Sequence, residues 1–131
     1  MNPTPTTPTN AFARAFLAGD ADAMVALLGP GVAFHSPVTD YTGARPVAKL
    51  LRTLVEVVPA RRVMTVLDAP GETIAVFAAH DDGLELDGVL RVVSGANGRV
   101  ARVMLWLRPL DALLEGVERM RAALGPLRAQ A

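Results

Sequence analysis

Between residues 45 and 58 an apolar position returns every three or four residues. Val47, Leu50, Leu51, Leu54, Val55 and Val58 fall at i, i+3, i+4, i+7, i+8 and i+11, while Lys49, Arg52 and Glu56 take the other side. That spacing predicts an amphipathic helix over 45–58, ended by Pro59. Upstream the pattern is shorter. Thr7-Pro8 offers an N-cap followed by a first-turn proline, Phe12 and Phe16 share one helical face, and Gly19 ends the turn. Asp20 then caps a second segment over 21–29, stopped by Gly29-Pro30-Gly31, and VAFHS at 32–36 reads as a short strand ending at Pro37. After residue 60 the period changes from helical to alternating. Residues 61–68, 73–80, 84–93 and 99–108 are rich in β-formers, and Asp-Ala-Pro-Gly, Asp-Asp-Gly and Ser-Gly-Ala-Asn-Gly separate them. They predict a four-stranded antiparallel meander. Pro109 opens a last helix over 110–124, with Leu110, Leu113, Leu114 and Val117 on one face and Gly125-Pro126 as its end.

Alternation assigns the strand faces. A two-residue turn at Asp82-Gly83 sets Asp81 against Leu84, His80 against Glu85 and Phe77 against Gly88. One face then carries Ala75, Phe77, Ala79, Leu84, Leu86, Gly88, Leu90 and Val92. The other carries His80, Glu85, Asp87 and Arg91. In the last strand Ala101, Val103, Leu105 and Leu107 join the apolar face, and Arg102, Met104, Trp106 and Arg108 the opposite one. The apolar set faces the helices and contains no ionisable group. A one-residue slip would exchange the faces and bring Asp87 inward. Helices grouped ahead of a meander imply an α+β fold with the helices packed on one side of a curved sheet.

Composition narrows the function classes. A chain of 131 residues with 51% hydrophobic content suits one domain with a real core. Thirteen acidic residues balance twelve arginines and Lys49, which are scattered along the chain, so no nucleic-acid footprint is expected. No cysteine and only two histidines, His35 and His80, argue against disulfides and metal sites. Residues 1–7 read as a disordered Pro/Thr-rich lead before a single domain at 8–131. The lead lacks the features of a signal peptide, and no apolar run approaches a membrane span, so a soluble cytoplasmic protein is expected. No glycine-rich phosphate loop is set between strand and helix, and no cofactor is implied.

The order of elements, with the words FLAGDADAMVALL, FHSPVTDYTG and GRVARVMLWLRP, resembles the nuclear-transport-factor-2-like superfamily, and within it the uncharacterised bacterial SnoaL-like proteins. The resemblance covers nearly the whole chain after residue 8. It implies a cystatin-like cone: a curved antiparallel sheet wrapped around three to four helices, with a pocket at the open end, commonly as a homodimer. Related folds include ketosteroid isomerases and limonene-epoxide hydrolases. Where the isomerases carry a base, an oxyanion tyrosine and a protonated aspartate, this chain has Ser36, Phe12 and Gly88, so ketosteroid isomerisation is not expected. The epoxide hydrolases' Asp-Arg-Asp set has no match on the apolar face either.

The resemblance and the face assignment together give a candidate ligand site of Phe12, Ser36, Tyr41, Phe77, Leu86, Gly88 and Leu105, with catalytic residues unassigned. The leading expectation is a small, largely apolar molecule bound in the conical pocket, with an isomerase-, cyclase- or hydrolase-type activity left open. The alternative is a non-catalytic dimerisation or interaction domain whose cone is filled by its own phenylalanines and leucines. A third reading is an enzyme using His35 or Asp87. His80 opposite Glu85 reads as a cross-strand pair, and Met104, Trp106 and Arg108 as a dimer patch.

Overall fold

A computed structural model describes residues 8–57, 61–81 and 83–128. The expected lead at 1–7, Thr7 as a cap, and the roles given to Val58, Pro59 and Asp82 lie outside those residues. The chain runs α1 (Ala11–Ala18), α2 (Ala21–Ala26), β1 (Leu28–His35), β2 (Asp40–Thr42), α3 (Ala44–Val57), β3 (Arg61–Ala69), β4 (Glu72–Asp81), β5 (Leu84–Ser94), β6 (Val100–Arg108) and α4 (Leu110–Arg128). The strands form one curved, unclosed sheet in the order β2-β1-β6-β5-β4-β3. The expected α+β architecture is therefore present. The meander β3 to β6 is antiparallel throughout, and β1 joins it by running parallel to β6.

α1 starts at Ala11 rather than at Pro8. Asn10 is its cap, with its side-chain oxygen accepting from the Ala13 N–H at 2.9 Å. Gly19 closes the helix with φ 72°, the left-handed conformation glycine adopts most easily. Asp20 caps α2 as expected, but the chain is already a strand by Leu28. Gly29-Pro30-Gly31 does not end an element. It sits where the β1–β6 register shifts, between Leu28 and Ala33, so the missing proline N–H interrupts no regular ladder. A Cβ at Gly29 would lie 3.0 Å from the Val100 carbonyl oxygen, which explains a glycine there. α3 buries Val47, Leu50, Leu51 and Leu54, as its period predicts. Each such aliphatic side chain contributes about 1.5–3 kcal/mol.

The hairpin register agrees with the sequence reading: His80 pairs with Glu85, Ala79 with Leu86, and Phe77 with Gly88. Ala75, Phe77, Ala79, Leu84, Leu86, Leu90 and Val92 are all buried, and Asp87 is on the other face, where its carboxylate accepts from Arg108 Nη1 at 3.2 Å. One position departs. Ala101 is exposed and Val100 takes its place in the core, because a bulge shifts the register between Val93 and Ser94. α4 is also rotated from its expected face. Leu110 and Leu114 are exposed, and Leu113, Gly116, Val117 and Met120 turn inward. The helix runs past Gly125-Pro126 to Arg128.

Candidate functional site

The inner half of the sheet's helix-facing side is largely filled by aromatic and aliphatic side chains. Phe12, Phe16 and Phe77 are buried, and the rings of Phe16 and Phe77 meet edge-to-face with centroids 5.2 Å apart. Phe77 lies directly over Gly88: a Cβ there would be 2.5 Å from Phe77 Cζ and 2.8 Å from Leu107 Cδ2. The room that Gly88 leaves is thus taken by Phe77, not by a ligand. Arg61, on β3, borders a small void between Phe16, Leu54 and Leu86, with its guanidinium 5.2 Å from the centre of the Phe16 ring. Burial lowers its pKa to about 10.

The outer half opens into a cavity of about 90 Å³. Phe34, Leu86, Leu105 and Leu107 form its sheet wall, Leu50 and Leu54 of α3 another, and α4 roofs it with Leu113, Gly116, Val117 and Met120. The loop Ser36–Thr39 and the side chains of Tyr41 and Arg121 make the mouth. The cavity exists because three elements of different periodicity converge on it. Strand alternation sends Leu86 and Leu105 inward, the α3 stripe supplies Leu50 and Leu54, and α4 brings Gly116 beside Leu86.

Of the seven expected site residues, Ser36, Tyr41, Leu86 and Leu105 line this cavity. Phe77 borders only the inner void. Phe12 is buried in the core and Gly88 is covered by Phe77, and neither reaches either space. The α4 residues and Arg121 are not among the expected seven. The signal for them is the stripe 113, 116, 117 and 120, which a glycine hides from a hydrophobic count.

The Ser36 hydroxyl is saturated by its own loop. It donates to the Thr39 carbonyl oxygen at 2.6 Å and accepts from the Thr39 and Val38 N–H groups at 3.0 and 3.2 Å. One donor and two lone pairs are all a hydroxyl has. Ser36 therefore shapes the mouth, as a serine before a tight turn does. His35 points to the other side of β1, with its Nδ1 2.9 Å from Asp40 Oδ1 across the β1–β2 pair. Neither His35 nor Asp87 lines the cavity. Among the described residues no aspartate, glutamate or histidine lines it, and no group of three such side chains is placed to hold a metal. The Tyr41 hydroxyl makes no hydrogen bond among those residues; it stands ready at the mouth.

No family model matches the chain, and no curated protein sequence does. Its fold is well represented among solved structures. A steroid delta-isomerase from Pseudomonas aeruginosa superposes with a TM-score of 0.79 at 24% identity, over 97% of this chain and 99% of that one. An uncharacterized bacterial protein with a cystatin-like fold from Silicibacter pomeroyi DSS-3 gives 0.80 at 22% identity, over 88% and 86%. A SnoaL-like protein of unknown function from Burkholderia thailandensis E264 gives 0.64 at 17% identity, over 80% and 100%.

Proposed function

Starting from a fold shared with SnoaL-like and cystatin-like proteins, we propose that this protein binds a small, largely apolar molecule at the open end of its sheet. The observation that carries this reading is the cavity itself: its walls are leucine, phenylalanine, valine and methionine, and its few polar groups are confined to the mouth. At about 90 Å³ it suits a short chain or a single small ring, well below the roughly 300 Å³ of larger ligand sites. The reading is binding rather than acid–base catalysis, because no carboxylate or imidazole among the described residues borders the space. The polyketide cyclase, isomerase and hydrolase chemistries of similar folds would need such a group from elsewhere.

One experiment tests the proposal. Short-chain aliphatic ligands are titrated into the protein by calorimetry, in parallel with Gly116→Leu, which puts a side chain into the cavity. Saturable binding by the natural chain, lost in Gly116→Leu without a lowered unfolding midpoint, supports the reading. No binding by the natural chain overturns it and favours a second reading: an interaction domain whose cone its own side chains fill. The ring of Phe77 over Gly88 and the modest volume speak for that second reading. Under both readings we propose a homodimer built on the sheet face that the helices leave uncovered.

A further inference from the structure

The apolar walls say little about the other end of a ligand; the mouth says more. Arg121 of α4 and Tyr41 of β2 both border it. Arg121 offers only donors, five N–H groups in a planar fork, and Tyr41 offers one more through its hydroxyl. Arg121 Nη1 donates to Glu118 one turn earlier, and this leaves its other nitrogen atoms for a second acceptor. That pair is solvent-exposed, with side-chain accessibilities of 56% and 66%, so it contributes little and holds the guanidinium weakly. Asp40, the other nearby acid, is engaged by His35 on the far side of β1. The Ser36 hydroxyl has no bond to spare, being saturated within its loop.

Resting on the proposed binding site, we infer that its ligand is a short-chain carboxylate. Its tail enters between Leu86, Leu105 and Leu113, and its head remains at the mouth, where Arg121 and the Tyr41 hydroxyl donate to the carboxylate oxygens. A carboxylate accepts both donors with charge assistance, whereas an alcohol of equal length accepts only weakly and an amine is repelled by Arg121. The cavity's size sets the length: a buried tail of a few methylenes fills about 90 Å³.

The test compares hexanoate, hexanol and hexylamine at neutral pH and low salt, by calorimetric titration of the natural chain, Arg121→Gln and Tyr41→Phe. Hexanoate is expected to bind about two- to fivefold tighter than hexanol, the factor an exposed charge-assisted pair supplies. Arg121→Gln should remove that preference, lowering hexanoate affinity more than hexanol affinity, and Tyr41→Phe should reduce the preference partway. Equal affinities for hexanoate and hexanol in the natural chain, or tightest binding of hexylamine, would overturn the carboxylate assignment and leave the apolar site standing. Failure of all three probes would overturn both.

Discussion

At Gly88 the sheet admits no side chain. A Cβ would meet Phe77 Cζ at 2.5 Å and Leu107 Cδ2 at 2.8 Å, and the Phe77 ring is itself held against Phe16. Gly88→Ala should therefore destabilise the protein by about 1–3 kcal/mol, the usual cost of overpacking a core. Urea unfolding measures it, and pairing the change with Phe77→Leu should recover part of the loss, since the closest clash is with that ring. A second residue-scale prediction concerns pH. Thr73 is buried, and its hydroxyl donates to Asp68 Oδ1 at 2.6 Å. That bond, ahead of contacts from Thr9, holds the Asp68 pKa below its ordinary 3.8. The folded state thus binds the proton less readily than the unfolded chain. The stabilisation is complete above pH 3.8 and is lost as the pH falls below it through the lowered value. Thr73→Val keeps the shape and removes the donor. It should cost about 1 kcal/mol at neutral pH, a figure reduced for the exposure of Asp68. The difference from the natural chain should shrink as the pH is taken well below 3.8. A pH-independent difference would assign the effect to packing.

At the scale of elements, α4 decides both the roof of the cavity and the limit of what the sequence discloses. Gly116 lies in the helix interior, where glycine costs about 1 kcal/mol relative to alanine. A Cβ there would sit 4.0 Å from Leu86 Cδ1, an ordinary contact. Gly116→Ala should accordingly raise stability by about 1 kcal/mol, read as a higher midpoint in thermal and urea unfolding; a lower midpoint would show that the roof has no room even for a methyl group. The same glycine breaks up the inward stripe, so the leucines of α4 mark that face only at Leu113. Counting aliphatic residues points to 110, 113, 114 and 117, but of these only Leu113 and Val117 turn inward, beside Gly116 and Met120. The start of β1 is hidden for a related reason, because Gly29-Pro30-Gly31 reads as punctuation unless one knows that the register shifts there. The β4–β5 hairpin and α3 are legible because each carries one unbroken period with one buried face, and the pairing of Phe77 with Gly88 follows from counting back from a two-residue turn. Four of the cavity's sixteen lining residues are legible on the same terms: Leu86 and Leu105 follow from alternation, and Ser36 and Tyr41 from the loop words. Gly88 and Phe77 enter the expected site and not the cavity because alternation reports which face a residue occupies, not whether a neighbour's ring already fills the space.

For the whole molecule the asymmetry of the sheet is the governing fact. α1, α3 and α4 pack on one face and leave the other uncovered. Register places Leu67, Ile74, Arg91 and Met104 in one row across it, and Thr65, Val76, Val89 and Trp106 in the next. Leu67 is 61% exposed and Trp106 52%. The charge within this band is internally matched, since Arg91 Nη2 donates to Glu72 Oε2 at 2.7 Å. An apolar strip with neutralised charge and a tryptophan at its β6 end is suited to a second copy of the same face, because a two-fold axis lets each row meet itself. A standard interface buries about 800 Å² per partner, roughly a tenth of the 7436 Å² this chain exposes. Trp106→Arg should convert a dimer at micromolar concentration to a monomer, followed by size-exclusion chromatography with light scattering. Its urea midpoint at low protein concentration should stay close to that of the natural chain, since the ring is half exposed in the single copy. A natural chain that is already monomeric at high concentration would reject this interface, and a dimer that survives Trp106→Arg would place the contact on another surface. Leu110 and Leu114 of α4 are the next exposed apolar pair to vary.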